Sequence, residues 1–135
     1  MREIKFRAWD KLYRTMTYLP RLIGDQYGVG FVGETDYYID TSADLGQDLI
    51  LMQYTGLKDK NGKEIYEGDI FPCTYVLDGH KDHVYAVAYD LEVAGFRLEH
   101  YGAICPQTHV VQSIRDVSRF NACLGNIYEN PELLE

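Results

Sequence analysis

The amino-acid sequence predicts a mainly β protein that is built from many short strands. Twelve of its 135 residues are tyrosine and five are phenylalanine, and aromatic side chains are enriched in strands. The apolar runs are short, and turn-forming residues separate them. Asn61-Gly62 adds a strong hairpin signal, because both residues tolerate a positive φ. We therefore expect a small SH3-like barrel or a strongly bent sheet in the second half, a β-rich N-terminal lobe, and a short C-terminal helical turn.

The first predicted strand lies close to the N-terminus. Residues 4–8 alternate apolar and basic side chains, which predicts a strand with one buried face. Its basic face would be formed by Lys5 and Arg7. Trp9 ends this strand, and an aromatic side chain in that position is expected to anchor the core or an interface. Residues 16–19 are expected to return as a second strand.

Glycines dominate the middle of the N-terminal lobe. Four glycines between residues 24 and 33 argue against a helix, and residues 37–39 are expected to form a short strand. The whole chain, residues 1–135, is expected to form a single unit with two sub-lobes. These are a β-rich lobe over residues 1–48 and a barrel-like lobe with the C-terminal tail over residues 49–135.

The second lobe is expected to contain several further strands and a helical end. The predicted strands cover residues 49–54, 69–77, 84–89, 96–101 and 125–128. Residues 110–117 fit either a strand or the start of a short helix that runs to Arg119. Asn130 is expected to cap a final helical turn that has Pro131 at its first position.

The charges around Asn61-Gly62 select one hairpin register. A two-residue loop would place Lys60 opposite Lys63, and like charges directly across a ladder are unfavourable. A three-residue loop instead places Asp59 opposite Lys63. Asp59 also suits the first position of a type I turn, and Gly62 suits the left-handed position of a bulge. We therefore predict the three-residue loop.

The chain is acidic, and its charges are distributed unevenly. The formal net charge is −8. Residues 1–21 contain six basic and two acidic residues, whereas residues 22–57 contain six acidic residues and neither lysine nor arginine. Such opposite segments could attract each other across a self-association interface. The overall charge disfavours nonspecific nucleic-acid binding, although an acidic surface could also imitate DNA.

Cysteine content and hydropathy favour a cytoplasmic protein. Cys73, Cys105 and Cys123 are odd in number and widely spaced, which indicates buried thiols rather than a disulfide framework. No apolar run approaches the roughly 18 residues that are needed to span a membrane. The N-terminus also lacks an apolar signal region. We expect no membrane association.

One short segment concentrates the potential metal ligands. The cluster consists of Asp78, His80, Asp82 and His83. Imidazole and carboxylate groups bind zinc and other divalent metals, but this spacing matches no established motif. The segment fits a solvated loop equally well, and His100 and His109 are isolated in the sequence. We therefore predict no metal, and His80, Asp82 and His83 remain the candidate ligands if one binds.

Three blocks of the sequence together resemble the YopX family of phage and prophage proteins. The blocks are residues 4–10 (IKFRAWD), residues 53–70 (QYTGLKDKNGKEIYEGDI) and residues 125–134 (GNIYENPELL). They lie in the family's order and bracket nearly the whole chain, whereas residues 20–48 and 71–120 show no pattern that matches. The resemblance implies a β-rich fold, a phage or prophage origin and self-association. It implies no reaction and no catalytic residues.

We therefore expect a non-enzymatic accessory protein of the bacterial host cytoplasm, without a cofactor, that acts by self-assembly and by binding a host or phage protein. One alternative is an acidic decoy that imitates DNA for a host nucleic-acid-binding protein. Another is an enzyme that acts on a nucleotide or nucleic acid, with a metal near His80 and His83. The residues of interest are structural: Trp9, Gly56, Asp59, Asn61, Gly62, Lys63, Gly68, Asn130 and Pro131.

Overall fold

The computed structural model describes residues 3–18, 21–25, 28–32, 49–73, 83–102 and 113–135. The chain divides into two compact units, residues 1–54 and residues 55–135. The division falls inside one long strand, Leu49–Lys58, so that its first part belongs to one unit and its last part to the other. The boundary that we predicted after residue 48 lies just before this strand.

The first unit is made of antiparallel strands. Its elements are β1 (Phe6–Asp10), β2 (Thr15–Tyr18), β3 (Arg21–Asp25), β4 (Gly28–Val32) and the first part of β5 (Leu49–Lys58). β1 is a central strand, because Trp9 lies opposite Met16 of β2 on one side and opposite Ile50 of β5 on the other. Trp9 is buried, as expected for an aromatic anchor.

β3 and β4 form a separate antiparallel pair in which Ile23 lies opposite Gly30. The glycine content of this region argued against a helix but did not predict the two strands. Because glycine is generally depleted in strands, the glycine content of this segment does not favour the strand pair that forms. The strand predicted over residues 37–39 lies outside the described residues.

The prediction that Arg7 lies on an exposed basic face of β1 is wrong. The side chain of Arg7 is only 1% exposed, and Arg7, Ala8 and Trp9 are buried in succession. The alternating pattern assumed that one face of the strand meets water, but a central strand can be covered on both faces. Lys5 is half-buried, and its Nζ lies 4.7 Å from the centre of the Tyr54 ring.

The second unit combines a sheet with a short helix. After the last part of β5 it contains β6 (Glu64–Tyr66), β7 (Asp69–Pro72), β8 (Val84–Asp90), β9 (Gly95–Tyr101), α1 (Ile114–Phe120), β10 (Gly125–Asn126) and a 3-10 helix (Pro131–Leu134). Four of these strands form an antiparallel sheet in the order β10-β7-β8-β9. Its core cluster consists of Ile65, Phe71, Val87, Ile114 and Val117.

α1 resolves the alternative that the sequence left open for residues 110–117. Ser113 caps the helix, because its Oγ accepts a hydrogen bond from the Asp116 backbone N–H at 3.1 Å. Ile114 and Val117 then lie three residues apart and both are buried, which is the spacing of one helix face. The helical alternative is therefore confirmed from Ile114 onward.

The three-residue hairpin loop is confirmed. The backbone N–H of Asp59 donates to the Lys63 carbonyl at 2.8 Å, and the Gly62 N–H donates to the Asp59 carbonyl at 3.0 Å. Gly62 has a φ of 83°, which is the left-handed conformation that the bulge requires. Local charge and turn chemistry were therefore sufficient to select the register.

The C-terminal block ends in the helical turn that the sequence predicted, but Asn130 has a different role. Pro131 starts the 3-10 helix, and the Asn130 side chain does not cap it. Its Oδ1 instead accepts from the Asn126 backbone N–H at 3.2 Å. A Cβ atom at Gly125 would collide with the Asn130 side chain, so glycine is needed there for close approach.

The mainly β fold predicted for the chain, with a barrel-like or bent sheet and a short C-terminal helical turn, is confirmed. Within the described ranges, no helix is long and apolar enough to cross a membrane. The strand predicted over residues 69–77 ends at Pro72 in the structure, and residues 74–77 lie outside the described residues.

Replacement of Gly62 tests the turn. Nothing lies within 4 Å of the position that a Cβ atom would occupy there, so the cost of Gly62→Ala comes from the backbone conformation alone. We expect a loss of about 1–2 kcal/mol in the free energy of unfolding, measured by urea denaturation. Gly95→Ala is the matched control, because its Cβ would make only an ordinary contact of 3.8 Å. Equal losses for both variants would contradict the proposed strain.

Candidate functional site

Asp59 joins the hairpin turn to the C-terminal part of the second unit. Its Oδ1 accepts hydrogen bonds from the backbone N–H groups of Asn61 at 2.9 Å and Lys63 at 3.0 Å. Its Oδ2 accepts from the backbone N–H of Cys123 at 2.9 Å. The residue is 7% exposed. One carboxylate therefore fixes the local turn and also holds a segment that is distant in sequence.

Further backbone hydrogen bonds bring the second and third sequence blocks together. The Lys60 N–H donates to the Asn121 carbonyl at 3.4 Å, and the Leu124 N–H donates to the Ile70 carbonyl at 2.8 Å. Gly68 makes two backbone hydrogen bonds. Its N–H donates to the Val87 carbonyl, and its own carbonyl accepts from the Ile127 N–H. The blocks that carry the family resemblance are therefore structural neighbours.

The environment of Asp59 favours its charged form. Burial by itself would raise the pKa of this carboxyl, but the backbone donors of Cys123, Lys63 and Asn61 lower it, and the positive charge of Lys63 lowers it further. The net result is a pKa below the usual value. Hydrogen bonds from several backbone N–H groups stabilise a carboxylate in this way.

The three glycines that we predicted to serve backbone geometry all have positive φ values. These are 86° at Gly56, 83° at Gly62 and 84° at Gly68. They lie at the end of the hairpin strand and in the turns on either side of β6. The structural residues of the second block thus shape the backbone around Asp59 rather than presenting reactive groups.

His83 and His100 form a contact that the sequence did not predict. His83 Nδ1 lies 3.1 Å from His100 Nε2, and the two rings stack with their centroids 5.1 Å apart. His83 is buried rather than solvated, and His100 is not isolated. The register of the β8–β9 hairpin, in which Tyr85 lies opposite His100, is the signal that could have revealed this pair.

Three titratable groups of the second unit have pKa values that are shifted towards the neutral form. Burial and then the neighbouring His83 lower the pKa of His100. Burial and then the Cys73 side chain raise the pKa of Tyr85. Burial is also the main cause that raises the pKa of Cys123. A nucleophilic thiolate or phenolate needs the opposite shift.

The described residues do not include all the candidate metal ligands named from the sequence. His80 and Asp82 lie outside the described residues, so only His83 of the three candidates has a described position. No group of three or more histidine, cysteine or acidic side chains in the described ranges could hold a metal ion. Cys73 and Cys123 are free and half-buried thiols, and Cys105 lies outside those ranges.

Two hairpin loops share one local design. Asp10 before the β1–β2 loop accepts from the Leu12 N–H at 2.8 Å, and Asp90 before the β8–β9 loop accepts from the Glu92 N–H at 2.9 Å. Each loop also contains one non-glycine residue with a positive φ, Arg14 at 53° and Ala94 at 51°. Each aspartate thus holds its loop in place, and the tip of each loop is exposed to solvent.

Both loops present large apolar side chains. Leu12 and Tyr13 are 70% and 67% exposed, whereas Leu91 and Val93 are 87% and 70% exposed. Single exposed apolar residues are common, and here two of them stand on the same loop. We call Leu91 and Val93 the apolar tip of the second unit. The sequence pattern did not single out Leu91 and Val93, which lie between the strands predicted over residues 84–89 and 96–101.

Removal of the Asp59 charge should destabilise the fold. In Asp59→Asn, one amide oxygen can still accept two hydrogen bonds, but the amide nitrogen then faces the Cys123 N–H. A buried donor without a partner costs about 1–3 kcal/mol, and we expect a loss of that size in thermal or urea unfolding. Glu129→Gln removes one exposed charge and should leave stability unchanged.

The same carboxylate predicts how stability depends on pH. Because the pKa of Asp59 is lower in the folded state, the unfolded chain binds the proton more tightly. The stabilisation is fully present above the unfolded pKa and is lost as the pH falls through the folded pKa. Urea unfolding of wild type and Asp59→Asn between pH 7 and pH 3 checks this. Parallel curves for the two proteins would contradict the assignment.

Comparisons with known proteins agree with this architecture. The chain matches the family described as YopX protein over residues 5–135. It is similar to the protein in the "Crystal structure of protein EF1440 from Enterococcus faecalis", with 27% identity, complete coverage of both chains and a TM-score of 0.62. No curated protein matches the chain. The family match spans nearly the whole sequence, and this chain belongs to the YopX family.

Proposed function

We propose that this protein is a phage or prophage accessory protein that acts in the host cytoplasm by self-association and by binding another protein, and not by catalysis. The observation that carries the proposal is the apolar tip formed by Leu91 and Val93. Membership of the YopX family is compatible with it. The raised pKa values of Tyr85 and Cys123 disfavour a phenolate or thiolate nucleophile at these two positions, which supports a binding role.

The apolar tip has enough hydrophobic surface to contribute to an interface. Burying a leucine or valine side chain contributes about 1.5–3 kcal/mol, and both residues are largely exposed at present. Tyr89, the last aromatic residue before the loop, is 42% exposed and packs edge-to-face on Phe96. These side chains stand on a hairpin whose loop is fixed by Asp90, so little conformational entropy would be lost on binding.

A second copy of the chain is the partner that we propose for the tip. When two copies meet through the same patch, each contributes its own Leu91 and Val93 to a closed dimer. In such a dimer both tips are buried, so the apolar area removed from water is twice that of a single tip. An apolar contact is also insensitive to salt, whereas attraction between oppositely charged segments is screened.

Native mass spectrometry of the untagged protein at two ionic strengths tests the proposal. We expect an oligomer whose subunit number does not change with salt, and we expect Leu91→Ser/Val93→Ser to dissociate it. Leu12→Ser/Tyr13→Ser is the matched control, because it alters a loop of the same design in the first unit. A wild-type monomer at micromolar concentration would contradict self-association, and dissociation by the control alone would transfer the interface to the other loop.

Measurements of bound metal and of captured host proteins address the two alternatives. A stoichiometric metal that is lost in His80→Ala/His83→Ala would favour an enzyme with a metal near these residues. Capture of a host nucleic-acid-binding protein that DNA then displaces would favour the decoy. The buried position of Arg7 removes one of the basic residues of the N-terminal segment from the surface that another chain could contact.

A further inference from the structure

A groove in the second unit carries a local charge opposite to that of the chain. It has a volume of about 460 Å³ and is lined on one side by the end of β5 and on the other by α1. Its cationic lining residues are Lys58, Lys60, Arg115 and Arg119. The chain as a whole has a net charge of −8. This concentration of positive charge is therefore a local feature that composition conceals.

The four cations are available to a ligand. All four residues are exposed. Within the described ranges, the side-chain ion pairs join Lys5 to Glu3 and Arg97 to Asp90, so none of them involves the groove. Four side chains with the same charge repel one another when they line one cavity. An anion that bridges them would remove this repulsion.

The two carboxylates of the groove are already engaged elsewhere. Asp59 accepts three backbone hydrogen bonds with its two oxygens. Asp116 Oδ2 accepts from the Ser113 hydroxyl at 2.7 Å, as part of the helix cap. Neither carboxylate therefore forms an ion pair with a groove cation in the structure. Four positive charges against two negative charges leave the groove with a positive balance.

The arrangement of the cations suits phosphate groups. Arg115 and Arg119 are four residues apart on one helix, so they project from the same face. Each guanidinium can bind a phosphate through two parallel hydrogen bonds, which a lysine cannot do. Lys58 and Lys60 add point charges from the opposite wall. The Lys60 N–H donates to the Asn121 carbonyl, which ties the lysine-bearing turn to the residue that follows α1.

The size of the groove and the charge of the chain select the ligand class. A volume of about 460 Å³ lies within the range of small-molecule sites, roughly 300–1,000 Å³. A long polyanion would extend beyond the groove and be repelled by the negative charge of the rest of the chain. A small anion would interact mainly with the positive charges of the groove. We propose that this groove binds a small ligand that bears two or more phosphate groups.

Isothermal titration calorimetry with sodium triphosphate at low ionic strength tests the proposal. We expect saturable binding by the full-length protein that weakens as sodium chloride is added. Arg115→Gln/Arg119→Gln should weaken binding by about tenfold or more, because it removes both bidentate groups. Arg97→Gln is the matched control, since Arg97 is exposed and paired with Asp90 outside the groove. Circular dichroism checks that the variants keep the wild-type fold.

Three results would overturn the proposal. The first is no measurable heat with millimolar triphosphate. The second is equal binding by wild type and the folded double-arginine variant. The third is a preference for another anion, either a 12-residue oligothymidylate or hexaglutamate, over triphosphate, since that would assign the groove to a nucleic acid strand or an acidic peptide. None of these outcomes depends on whether the protein self-associates through its apolar tip.

Discussion

The buried carboxylate of Asp59 is the interaction on which the second unit depends. It accepts hydrogen bonds from two N–H groups of its own turn and from Cys123, which is 64 residues away in sequence. The three donors use both carboxylate oxygens as acceptors, whereas an asparagine side chain has only one acceptor oxygen. Because the turn and the C-terminal segment share one acceptor, the geometry of each constrains the other. The groove beside α1 inherits this rigidity, since Asp59 and its neighbours form one of its walls.

The three sequence blocks supply strands and turns of the fold. The first block supplies β1, which pairs with the start of β5. The second block contains the end of β5 and its hairpin, and the third block supplies β10, which pairs with β7. Their asparagines and aspartates accept hydrogen bonds from backbone N–H groups at turns and strand ends, and their glycines adopt positive φ values. These residues shape the turns and strand ends of the fold.

Two surfaces of the second unit differ in their chemistry. The apolar tip of Leu91 and Val93 extends from a hairpin loop and suits contact with another protein. The groove lined by Arg115 and Arg119 is cationic and suits a phosphorylated ligand. The two surfaces should respond differently to added sodium chloride, because ions screen electrostatic attraction at the groove more strongly than they affect apolar contact at the tip.

The sequence by itself determined the features that depend on residues close together in the chain. These include the mainly β fold, the register of the Asp59–Lys63 loop and the start of the 3-10 helix at Pro131, because turn chemistry and neighbouring charges act over a few residues. Only the tertiary structure decided the burial of Arg7, the use of Asn130 against Gly125, the pairing of His83 with His100, and the meeting of β5 with α1 at the groove. Each of these depends on segments that are distant in sequence, and a linear pattern does not record which segments will become neighbours.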